Sequence, residues 1–73
     1  MLKFVNDGAW RDYHGTHRRY EIRRGKEVLG RLEGESGSLW PWEVCDTDRN
    51  TLSKHDTFVQ AKAAARARWE AKP

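Results

Sequence analysis

Four tryptophans in a chain of 73 residues set the first limit on what this sequence can fold into. Trp10, Trp40, Trp42 and Trp69 each bring roughly 150–250 Å² of side-chain surface. A chain of this length makes one domain, and its core supplies only about 3–5 kcal/mol unless something else staples the fold. The single cysteine, Cys45, leaves no internal disulfide to act as that staple. So small an interior cannot easily hold four indoles. Some aromatic surface is expected to face outward, where Trp, Tyr and Arg are the preferred anchors of binding hot spots.

The net charge of +3 is modest but unevenly spread. From Trp10 to Lys26, Arg11, Arg18, Arg19, Arg23, Arg24 and Lys26 stand against only Asp12 and Glu21. Lys62, Arg66, Arg68 and Lys72 recur near the end, while Glu43, Asp46, Asp48 and Asp56 make the middle acidic. Taken singly, each charge reads as solvated surface. The doublets Arg18-Arg19 and Arg23-Arg24 argue for a partner, either an acidic protein patch or a phosphate backbone. The apolar start Met1-Leu2-Lys3-Phe4-Val5 is too short for a signal peptide, and no stretch approaches the ~20 apolar residues of a membrane span. A soluble, monomeric, cytoplasmic protein is expected.

Periodicity predicts an α+β fold: a small antiparallel sheet of three or four strands with a C-terminal helix packed across it. Leu2 and Phe4 suggest a short first strand or tail, stopped by the turn signal Asn6-Asp7-Gly8, and residues 9–17 read as a loop. Residues 1–17 thus form a partly irregular N-terminal segment, 18–45 a three-stranded sheet and 57–71 a helix. Tyr20 and Ile22 share one face of the strand Arg18–Arg24, with Arg19, Glu21 and Arg23 on the other. Gly25-Lys26 closes a hairpin into Glu27–Glu33, where Val28, Gly30 and Leu32 share a face. The strand Leu39–Cys45 contains Pro41, which points to a sheet edge or an exposed strand start. The helix is announced by a capping box, Thr57 with Gln60 three residues on, and by six alanines. Phe58, Ala61, Ala65 and Trp69 fall on one stripe of it.

No group of residues suits catalysis. His14 and His17 are three apart with His55 and Cys45 elsewhere, a spacing that does not match a zinc site. Cys45 lies near acidic residues that suppress its thiolate. No phosphate-binding glycine loop is present. No metal, cofactor or catalytic residue is assigned, and the chain reads as a protein that acts by contact.

Two resemblances sharpen that reading. A three-stranded sheet backed by a helix, with tryptophan in the third strand and a helix opening on Phe58, looks like the small arm-binding domains of phage integrases. Over residues 18–70 this implies DNA binding by Arg19, Arg23 and Arg31, although Glu21, Glu33 and Glu43 share their face. Taken whole, the chain resembles the small bacteriophage inhibitors of host bacterial RNA polymerase. The likeness lies in its length, the Met1–Val5 start, the tryptophan-rich βββα layout and the Ala/Arg-rich end. It implies a stoichiometric partner of the polymerase β′ subunit N-terminal segment, which disturbs σ-factor engagement and promotes antitermination. The expected contact residues are Phe4, Val5, Trp10, Arg11, Tyr13, Arg18, Arg19, Tyr20 and Arg23.

Overall fold

The computed structural model describes residues 2–13, 15–36 and 41–70. Strands β1 (Leu2–Asp12), β2 (Gly15–Arg24), β3 (Glu27–Glu35), β4 (Trp42–Asp46) and β5 (Thr51–His55) precede helix α1 (Phe58–Trp69). They form one antiparallel sheet in the order β1-β2-β3-β4-β5. The α+β class and the C-terminal helix stand as expected. The strand count does not: among the described residues there are five, not three or four.

Both extra stretches of strand have a physical cause. Asn6-Asp7-Gly8 does not turn the chain; the register between β1 and β2 slips there and pairing resumes at Gly8↔Arg19. The Asn6 side chain accepts the Gly8 N–H at 3.0 Å, so the side chain satisfies the donor the irregularity frees. Residues 9–12 then continue β1 instead of forming a loop. At the other end, Thr51–His55 carries almost no apolar pattern, yet pairing with β4 makes it a strand. That strand places β4 inside the sheet, so Pro41 marks no edge. It stands just ahead of β4, and its carbonyl accepts the Glu35 N–H at 2.7 Å.

One face of the sheet carries the core. Ile22, Leu32, Ala61 and Ala65 are fully buried, with Val44 and Leu2 nearly so. Phe58 and Trp69 grip at the ends of the alanine stripe, as the sequence predicts. The shift between Ile22 and Arg23 makes Leu29 the extra residue of β3, and Leu29 packs on the core where Val28 was expected. Glycines on β3 let the indoles approach. A Cβ at Gly34 would sit 2.7 Å from the Trp42 ring, and one at Gly30 would sit 2.8 Å from the Trp69 ring. Trp42, Phe58 and Tyr20 form a cluster with ring centroids 4.6–6.3 Å apart, a geometry worth about 0.5–1.5 kcal/mol per pair beyond area.

The helix start departs slightly from the expected box. Thr57 Oγ1 accepts the Gln60 N–H at 3.1 Å, as an N-cap should. The Gln60 side chain reaches one residue further back and accepts from the Asp56 N–H at 3.2 Å.

Candidate contact surface

Strand alternation sorts the expected contact residues into two groups. Counting along β2, Ile22, Tyr20 and Arg18 share the helix-side face, while Glu21, Arg19 and His17 share the open face. Tyr20 belongs to the aromatic cluster under α1, and Phe4 packs on the core with the Arg66 guanidinium 5.2 Å above its ring. These two side chains hold the fold together. Val5 is 38 % exposed on the open face. Arg23, on the same face, is tied to Glu21, its Nε lying 2.9 Å from Oε1.

The remaining five gather at one end. β1 and β2 run on past the end of β3, whose last partner pair is His17↔Glu35. The extension itself carries Arg11 and Tyr13, while Trp10, Arg18 and Arg19 stand at its root, where β2 still pairs with β3; root and extension together make an arm. None of its described residues between 9 and 18 is buried. Tyr13 is 93 % exposed at the tip, and Trp10 is 45 % exposed on the open face.

Trp10 is held in place. Its cross-strand partner His17 stacks on it with centroids 5.2 Å apart and planes 9° from parallel. The Arg19 guanidinium also lies over the indole, 5.5 Å from its centroid. His17 Nε2 is 3.0 Å from Asp12 Oδ1, and Arg19 Nε is 3.2 Å from Asp7 Oδ2. The Arg19 contact is ionic and not a directed hydrogen bond, because its N–H points away from the carboxylate. The arm thus presents an indole whose rotamer is fixed by neighbours, a state that lowers the entropy cost of binding. Sequence reasoning missed His17 and Asp7, because both roles depend on a cross-strand pairing that a loop at 9–17 would not create.

The rest of the open face is a charge mosaic. One row reads Arg19, Glu33, Glu43 and Lys54 across four strands; the next reads Glu21, Arg31 and Cys45. Lys54 Nζ is 3.9 Å from Glu43 Oε1, and Thr51 Oγ1 donates to that same oxygen at 3.3 Å. In the first row acids hold the centre with bases at the flanks, and in the second Arg31 stands at the centre. Cys45 is buried in this face, and burial, followed by the Glu33 and Glu43 charges, pushes its thiol above the ordinary range. That disfavours the nucleophilic thiolate. Among the described residues no three His, Cys, Asp or Glu side chains converge as a metal site, and no helix is long and apolar enough to cross a membrane.

Comparison with known proteins adds nothing to this geometry: no family model, curated protein or solved structure matches the chain.

Proposed function

We propose that this chain is a stoichiometric regulator of bacterial RNA polymerase that works by protein contact and catalyses nothing. It docks on the N-terminal segment of the β′ subunit, disturbs σ-factor engagement so that initiation fails, and lets the elongating enzyme read through terminators. The resemblance to small phage inhibitors supplies the identity of the partner and the host cytoplasm as the place. One observation carries the mode of action: a half-exposed, pre-oriented Trp10 held by His17 and Arg19 on an arm outside the core. Within a usual interface of roughly 1,200–2,000 Å², a few such anchors supply most of the affinity.

DNA binding in the manner of integrase arm-binding domains is the alternative. It fits less well: Glu33 and Glu43 occupy the middle of the open face, where a phosphate chain would pass.

Binding to purified core polymerase and holoenzyme, read with run-off transcription from a σ-dependent promoter, tests the proposal. Co-elution with polymerase and loss of the run-off product are expected. Trp10→Ala weakens binding by about 2 kcal/mol, or roughly thirtyfold, while the fold survives. Arg18→Ala with Arg19→Ala acts in the same direction. Full affinity in both variants overturns the assignment of the surface, and absence of any polymerase binding overturns the function. A loss of about a thousandfold in affinity between low and moderate salt would instead mark a phosphate-binding protein.

A further inference from the structure

We infer that the helix-side root of the arm is a binding cleft for an extended acidic segment of a protein partner, with Arg11 and Arg18 as its carboxylate receptors. The inference rests on the protein-contact reading for the class of partner; its chemistry comes from the cleft itself.

Register puts both arginines on one face. Arg18 follows Ile22 and Tyr20 at alternate positions of β2, and Arg11 pairs with Thr16, the next position of that series. This is the face that α1 covers further along, where Phe58 closes over Trp42 at 4.6 Å. At the arm's root it opens into a cleft of about 350 Å³ whose walls include Arg11, Thr16, Arg18, Ser36, Trp42 and Glu35. The cleft is braced across its width: the Thr16 N–H donates to Ser36 Oγ at 2.8 Å, and the Ser36 N–H donates to the Thr16 carbonyl at 2.9 Å.

The two arginines share one cleft and, like Arg24, Arg31, Arg49 and Arg68, differ in pairing from Arg19, Arg23 and Arg66. Arg19, Arg23 and Arg66 each have a carboxylate within ion-pair distance, on Asp7, Glu21 and Glu70. Among the described residues, no carboxylate stands within that distance of Arg11 or Arg18, and both are exposed. Two planar five-donor guanidinium groups lining one cleft, with no carboxylate in ion-pair distance among the described residues, match carboxylates in bidentate geometry. The Trp42 indole offers the adjacent apolar wall, so an acidic residue next to an aliphatic one fits the chemistry.

Charge separates a peptide from a nucleic acid. Glu35 lines the cleft, and Glu33 and Glu43 crowd the opposite face of the same strands. A duplex carrying a phosphate about every 1.7 Å runs its charges against Glu35 in the cleft, whereas a peptide can place one or two carboxylates on the arginines and pass neutral backbone over Glu35.

The test is an NMR titration of the isotope-labelled full chain. The probes are a synthetic peptide alternating aspartate and leucine, its asparagine-leucine counterpart, and a short oligothymidylate. Saturable shifts of the Arg11, Thr16, Arg18 and Ser36 amides and the Trp42 indole N–H are expected with the aspartate peptide alone. Arg11→Gln with Arg18→Gln weakens that binding by about tenfold or more, with the dispersion of the core amides unchanged. The inference is overturned by no shift at these positions, by equal binding in the double variant, or by tighter binding of the oligothymidylate. Because the titration contains no polymerase, the two readings fail separately. Peptide binding without polymerase binding discards the earlier proposal, and polymerase binding without these shifts discards the cleft.

Discussion

β2 passes through two regions of this molecule that obey different rules. At Ile22 it is sealed between α1 and the sheet; four residues earlier, at Arg18, the same strand is exposed. Among the described residues, the helix-covered body contains all the fully buried side chains, while the arm has none and relies on strand pairing, one indole–imidazole stack, the His17–Asp12 side-chain contact and the Arg19–Asp7 ion pair. So small a chain keeps its stabilising burial and its exposed anchors apart. It concentrates burial where α1 lies and leaves large side chains outside that footprint, where their removal costs the fold little.

The sharpest way to break this division is to compare Leu32→Ala with Trp10→Ala. Leu32 is fully buried in the middle strand, and truncation there costs about 2–5 kcal/mol, comparable with everything a core of this size supplies. Trp10→Ala removes one stack and one cation–π contact and costs at most about 1–2 kcal/mol. Urea unfolding followed by circular dichroism measures both. Equal losses would mean that the arm is part of the cooperative core.

Gly30→Ala probes the body from the other direction. The added methyl meets the Cys45 carbonyl and the Trp69 ring at less than contact distance, so the helix end must move or the strands must part. Overpacking of this kind costs about 1–3 kcal/mol. The same measurement on Thr57→Ala, which removes the acceptor for the Gln60 N–H, is expected to show a loss of about 1 kcal/mol. If either change leaves the midpoint in urea where it was, α1 is not held as described.

Legibility in the sequence followed the same boundary. α1 could be read almost residue by residue, because its cap, its alanines and its stripe are local signals that tertiary packing then reinforced. The hairpin around Gly25-Lys26 was readable for the same reason, Gly25 taking φ +59° in the turn. What failed was non-local. Asn6-Asp7-Gly8 carries the composition of a turn, and only its partner strand shows that the chain absorbs it as an irregularity and continues. β5 has one aliphatic side chain, Leu52, and exists because β4 needed a neighbour. The expected contact residues divided likewise: Trp10, Arg11, Tyr13, Arg18 and Arg19 stand outside the core, as their place in a polar, basic stretch suggests. That Phe4 and Tyr20 belong to the core, and that His17 orients Trp10, depended on pairing between residues far apart in the chain.

The β4–β5 turn gives the smallest effects and tests whether local geometry in the body is optimised. Asp46 organises it, accepting from the Asp48 and Asn50 N–H groups at 2.9 Å each and from Asn50 Nδ2 at 3.1 Å. These bonds, those from Asn50 foremost, hold its carboxyl below the ordinary aspartate value. A depressed carboxylate contributes stability above its unfolded pKa and loses it as pH falls through the folded one. Asp46→Asn should therefore flatten the acid limb of the stability–pH curve and leave the neutral limb's slope unchanged.

Arg49, in the same turn, sits at φ +69°, the one non-glycine residue in the left-handed region among those described. That conformation costs a non-glycine residue about 1–2 kcal/mol, and glycine returns roughly 0.4–1 kcal/mol of it as unfolded-state entropy. The side chain makes no ion pair among the described residues that would offset the strain; only its N–H is engaged, donating to the Asp46 carbonyl at 3.2 Å, and glycine keeps that bond. Arg49→Gly should therefore raise stability by about 0.5–1 kcal/mol, read as a higher urea midpoint with an unchanged slope. Polymerase binding should not move, because the turn lies at the end of the sheet opposite the arm. A weaker interaction with the polymerase would show that the contact surface extends over the body as well.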